Sequence, residues 1–69
     1  MAYVACDKDG TECIHSAEPY RDEIVWAIPY WEETAQVIEL PKGSIAKLIG
    51  RELTWEDEPV ELTEHNATT

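Results

Sequence analysis

The chain has 69 residues and a mass of 7.9 kDa, and fifteen acidic against five basic side chains leave a formal charge of -10. A chain this short is expected to form one domain with a thin core, burying only about 60% of the surface its unfolded form exposes. It lacks the length to build a dinucleotide-binding sheet. Its shortage of Lys and Arg argues against direct nucleic-acid binding, whose affinity comes largely from cations on phosphates.

The first element is a hairpin. Tyr3 to Cys6 and Thr11 to His15 read as strands around Asp7-Lys8-Asp9-Gly10. Asp at the first and Gly at the fourth position suit a type I turn, with Gly10 left-handed in a three-residue loop. That register sets Val4 opposite Ile14 and Ala5 opposite Cys13. A two-residue Asp9-Gly10 turn would instead set Cys6 opposite Cys13, and also Asp7 opposite Glu12. Like charges directly across strands are destabilising, so the first register is favoured. It places the two cysteines on opposite faces and speaks against a disulfide between them.

Ser16 to Glu23 reads as a polar connection, since Pro19 cannot donate to a ladder. Ile24-Val25-Trp26-Ala27-Ile28 is the most apolar run. It predicts a strand that is central or buried on both faces, bounded by Pro29. Pro29 to Thr34 reads as a turn. Ala35 to Leu40 alternates and predicts a strand ending at Pro41, with Gln36, Ile38 and Leu40 on one face. The period then changes. Ile45, Leu48 and Ile49 form an i, i+3, i+4 stripe on a short helix, with Ser44 as the expected cap and Gly50 as the left-handed stop. Leu53 to Trp55 is expected to be extended and Glu56 to Pro59 a turn. Val60 to Leu62 reads as an edge strand with Glu61 facing water. Residues 1–64 are expected to form a compact domain and 65–69 a frayed tail. The fold class is α+β: a small antiparallel sheet of four to five strands with one short helix packed on it.

Three Trp and three Tyr within a hydrophobic fraction of 43% favour folding over disorder. No apolar run approaches the ~18 residues of a membrane span. The stretch from Met1 to Asp7 lacks the basic start and apolar core of a signal peptide. The expectation is a soluble cytoplasmic protein with no membrane partner, in which Cys6 and Cys13 are reduced.

Several short motifs stand in a characteristic order. Val4 to Gly10 precedes Glu18-Pro19 and Trp26. Ile38-Glu39-Leu40-Pro41 and Leu53-Thr54-Trp55-Glu56-Asp57-Glu58-Pro59-Val60-Glu61 follow. Across about half the chain, this pattern resembles a group of very small uncharacterised proteins of gut Bacteroides-type bacteria and their phages or mobile elements. The resemblance implies a bacterial or phage setting and a compact fold. It carries no activity and no ligand residues.

The residues offer little catalytic chemistry. Cys6, Cys13, His15 and His65 could ligate zinc, but structural sites place cysteine pairs two to four residues apart. Asp7 and Asp9 resemble the opening of a calcium loop, with Glu18 twelfth counting from Asp7, yet Gly10 does not fall on the sixth position. The acid pairs at Glu32-Glu33 and Glu56-Asp57-Glu58 sit beside turns, where solvent keeps both carboxyls alike. General acid–base work needs them to differ. The expectation is no enzyme, no metal and no cofactor. Tyr30 and Trp31, in a turn before two acids, either cover the thin core or form an interaction anchor. With Trp55, Glu56, Asp57 and Glu58 they are the candidate partner-binding residues. Six of the acids lie between Glu52 and Glu64, with no base among them. That stretch could imitate a phosphate backbone and occupy a nucleic-acid-binding protein, or it could simply keep the domain soluble. The favoured function is a protein–protein interaction module. A homodimer paired through Val60 to Leu62 is a further possibility.

Overall fold

The computed structural model describes residues 2–63; the expected tail at 65–69, His65 included, lies outside them. Six strands and one helix follow in the order β1 (Ala2–Cys6), β2 (Glu12–His15), β3 (Tyr20–Arg21), β4 (Trp26–Ala27), β5 (Val37–Leu40), α1 (Ser44–Ile49) and β6 (Val60–Leu62). Four of them form an antiparallel sheet in the order β5-β2-β1-β6, and β3 and β4 form a separate two-stranded ribbon. The fold is therefore α+β.

The hairpin adopts the register that separates like charges. Val4 pairs with Ile14, Ala5 with Cys13, and Cys6 with Glu12. The Asp7 N–H donates to the Thr11 carbonyl at 2.8 Å, and Gly10 closes the loop at φ 93°. Both cysteines are free and buried. Because side chains alternate across a strand, Val4 and Cys6 face one side of the sheet, while Ala5, Cys13 and His15 face the other.

The first side carries the main core. Val4, Cys6, Ile45 and Leu53 form its buried cluster, with Ile14, Leu40, Leu48, Ile49, Val60 and Leu62 packed around it. The stripe of α1 thus docks as its spacing predicts. A six-residue helix is marginal in water, and Ile45, 1% exposed, supplies about 1.5–3 kcal/mol of burial to hold it. Gly50 ends α1 in the left-handed conformation at φ 81°.

The cap at the other end departs from expectation. Ser44 does not cap α1; its hydroxyl donates to the Pro41 carbonyl at 2.6 Å. The N-cap is Gly43 at φ 93°, with no capping side chain of its own. The Glu12 carboxylate reaches across from β2 and accepts the N–H groups of Gly43 and Ile45, each at 2.8 Å. These two bonds hold the Glu12 carboxyl below its ordinary pKa, Gly43 contributing most.

The apolar run also departs from expectation. It is not a central strand: only Trp26–Ala27 is extended, while Ile24 and Val25 are exposed in a turn that the Asp22 N–H closes on the Val25 carbonyl at 2.9 Å. The stretch expected to be a polar connection supplies the partner strand, Tyr20 pairing with Ala27 and Arg21 with Trp26. The reason is long-range bonding at Trp26, which is 5% exposed. Its backbone N–H donates to Asp7 Oδ1 and its indole N–H to the Cys6 carbonyl, both at 2.9 Å. Its own carbonyl accepts from His15 Nε2 at 3.2 Å. The ribbon is thereby pinned across the second side of the sheet, and a few anchors on one residue replace a full ladder. Leu53 is buried but not in a strand; Thr54 to Asp57 form a turn, the Asp57 N–H donating to the Thr54 carbonyl at 3.0 Å.

Candidate functional site

The candidate binding residues fall into two groups. The first is a turn tip. The Glu32 N–H donates to the Pro29 carbonyl at 3.0 Å, which leaves Tyr30 and Trp31 as the two central turn residues. Pro29 takes the first position of the turn, supplying the carbonyl that closes it. Tyr30 is 89% exposed and Trp31 67% exposed. Their rings meet edge to face, with centroids 5.2 Å apart at 79°. Trp31 therefore does not fold back over the core. Glu32 and Glu33, both exposed, follow directly.

The second group surrounds Trp55, which is half-buried. Its ring lies 5.6 Å from that of Trp26, tilted by 56°. The Arg21 guanidinium sits 4.7 Å from the Trp26 ring centre and 5.2 Å from that of Trp55. It also donates to the Trp55 carbonyl at 3.0 Å and approaches Glu58 at 3.4 Å. A cation from β3 thus enters the acid-rich stretch that had no base of its own in sequence. Asp57 is engaged locally, its Oδ2 accepting the Thr54 N–H at 2.8 Å and the Thr54 hydroxyl at 3.2 Å. Glu56 is exposed. Beside this group an open cleft of about 370 Å³ runs between the β1–β2 loop and residues 52–56, with Lys8, Lys42, Glu12 and Glu52 on its walls.

The groups with reactive potential are held in quiet states. Burial, followed by the charge of Asp7, pushes the Cys13 thiol up to about 11; burial also raises the Cys6 thiol. A thiol so raised is a poor nucleophile at neutral pH. The Cys13 S–H contacts Asp7 Oδ2 at 3.9 Å. His15 is 1% exposed. Because a carbonyl can only accept, its Nε2 carries the proton toward Trp26, and its Nδ1 is buried without a hydrogen-bond partner. Burial lowers the His15 pKa, against the opposing pull of the Trp26 carbonyl and Asp7. Asp7 points inward and holds the Trp26 N–H, while Asp9 accepts the Thr11 N–H at 2.9 Å within the hairpin, so both carboxylates serve the fold. Among the described residues, no group of three or more His, Cys, Asp or Glu is arranged to hold a metal ion, and no helix is long and apolar enough to cross a membrane.

Sequence reasoning missed part of the exposed apolar surface. Ile24, Val25, Val37 and Ile38 are between 40% and 60% exposed. Their alternation or continuity signals burial, and no local pattern reveals that their outer neighbour is solvent. Arg21 was equally silent, because its ring partners are brought to it by the fold.

Comparison with known proteins gives no relative: no family model, no curated protein and no solved structure matches this chain.

Proposed function

We propose that the chain is a non-enzymatic protein-interaction module, cytoplasmic and of bacterial or phage origin, that engages a protein partner through the Tyr30–Trp31 tip. One observation carries this reading: two large aromatic side chains, followed by two acids, stand exposed at a turn where burial would cost little rearrangement. A thin core gains most by covering its aromatics, so leaving both outside forgoes folding energy. Trp and Tyr dominate the residues that anchor interfaces, each contributing about 2 kcal/mol or more when buried by a partner. The inert thiols and the solvated acids support a binding role over a catalytic one.

The phosphate-mimicking alternative finds less support. A mimic needs its carboxylates free to meet cations, whereas Asp57 is bonded to Thr54 and Glu58 is drawn to Arg21. The test is capture of partners from a bacterial host lysate on immobilised protein. Tyr30→Ala with Trp31→Ala should abolish specific capture, while Glu56→Lys with Glu58→Lys should leave it, and capture should survive 0.5 M salt. Salt-sensitive capture lost only on charge reversal would overturn the reading in favour of the mimic.

A further inference from the structure

We infer that β5 is a self-pairing edge, through which two copies of the chain join antiparallel about a two-fold axis at Ile38. The sheet has two edges, β5 and β6. On β6 the expected pairing site is weak. Alternation along the ladder with β1, where Val4 pairs with Val60 and Ala2 with Leu62, turns only Glu61 outward within the strand. Pro59, just before it, has no N–H to donate.

On β5 the position differs. The Ser16 N–H donates to the Gln36 carbonyl at 2.9 Å, and Ile14 pairs with Ile38 and Glu12 with Leu40. Hydrogen-bonded pairs alternate along an antiparallel ladder, so the backbone groups of Val37 and Glu39 point away from the sheet. Two of its side chains are apolar and open, Val37 at 48% and Ile38 at 59% exposed, and beside them stands the exposed carboxylate of Glu39. An edge of this kind is a template for another strand.

The occupant that fits is a second copy, and the register follows from charge. Outward residues must meet outward residues, so the axis can fall at Val37, Ile38 or Glu39. At Glu39 it sets two carboxylates face to face, which is repulsive. At Val37 it leaves Glu39 opposite Ala35, which follows a turn closed on Glu32. At Ile38 it pairs Val37 with Glu39 of the second copy, and Glu39 with Val37. All four outward N–H and C=O pairs are then used, and no like charges oppose. Ile38 meets its own copy at the close, non-hydrogen-bonded position. It also lies on a mainly apolar groove of about 170 Å³ lined with Ala2, Ile14 and Gln36, which the pairing would narrow. The product is a continuous sheet of eight strands. The charge of -10 on each copy opposes association, so salt favours it, the screening length falling to about 3 Å at 1 M.

Sedimentation equilibrium in 0.5 M salt tests this directly. The wild type is expected to form a reversible dimer; a monomer throughout at millimolar concentration overturns the proposal. Val37→Pro removes one outward donor per copy and Ile38→Lys sets two cations on the axis. Each should weaken the dimer at least tenfold, while Glu61→Lys on the other edge should not. Dependence on Glu61 instead of Ile38 would assign the interface to β6 and overturn it equally. Should Val37→Pro not fold, a cysteine scan decides. Ile38→Cys should oxidise to a cross-linked dimer, since its sulfur faces its own copy, and Glu39→Cys should not. The reverse result refutes the register.

Discussion

Replacing Glu12 tests how this small fold holds its only described helix. The carboxylate satisfies two backbone N–H groups at the start of α1, at Gly43 and Ile45. Hydrogen bonds to a charged group contribute about 1.5–3 kcal/mol each, while loss of an N-cap side chain typically costs about 0.5–2 kcal/mol. Water can reach part of this end of the helix, so the two bonds do not add in full. Glu12→Ala should therefore cost about 2 kcal/mol. Domains are stable by about 0.05–0.15 kcal/mol per residue, so the loss is a large share of the total. Glu12→Gln should fall between, because its amide offers one acceptor oxygen and sets a second donor against the other N–H. Urea unfolding followed by Trp fluorescence at pH 7 measures both. The pH dependence is a second check. The Glu12 carboxyl is held below its ordinary value in the fold, so its contribution is present above about pH 4.5 and fades as pH falls through the folded value. The gap between wild type and Glu12→Ala should close in that acid range. A gap under about 0.5 kcal/mol at neutral pH, or one that ignores pH, would refute the capping role.

Other outcomes follow from the same contacts. Arg21→Ala should cost about 1.5–3.5 kcal/mol, from two cation–π contacts of about 0.5–1 kcal/mol each and one hydrogen bond of about 0.5–1.5 kcal/mol, with almost nothing from the exposed Glu58 pair. Arg21→Lys should recover less than half of this, because a lysine cannot lie flat against two rings; equilibrium unfolding of the two variants checks it. Native Cys13 should react with a disulfide reagent about a hundredfold more slowly than an ordinary thiol, since a rise from 9.0 to about 11 cuts the thiolate fraction by that factor. Denaturation should restore the rate. His15 is held below its ordinary 6.5 by burial, so the unfolded chain binds its proton first. Stability should fall as pH drops below about 6.5 and level off beneath the folded value. His15→Gln should remove that slope in a pH series of melting curves.

Local chemistry made much of the fold legible. The β1–β2 register could be read because the rival turn would oppose Asp7 and Glu12. The α1 stripe and its Gly50 stop could be read because three or four residues suffice to define them. Pro41 ended β5 as its missing N–H requires. What failed was long-range. The cap on α1 comes from a side chain more than 30 positions away in sequence, and the nearby Ser44 offered a misleading local alternative. The Ile24 to Ile28 run has strand composition, but its backbone is directed by Asp7, Cys6 and His15 gathering on Trp26. The candidate surface was read in part. Pro29 and the two acids mark Tyr30 and Trp31 as turn residues, yet composition alone leaves their exposure open. The acid run around Trp55 is uniform in sequence, and only the fold brings Arg21 into it.

The central claim is that the Tyr30–Trp31 tip is the binding face. A photoreactive phenylalanine analogue placed at position 30, and separately at position 58, in protein expressed in a bacterial host tests it most directly. A discrete cross-linked partner is expected from position 30, absent when Trp31 is replaced by Ala, and none from position 58. Cross-links from position 58 alone would contradict it and move the binding face to the acidic turn.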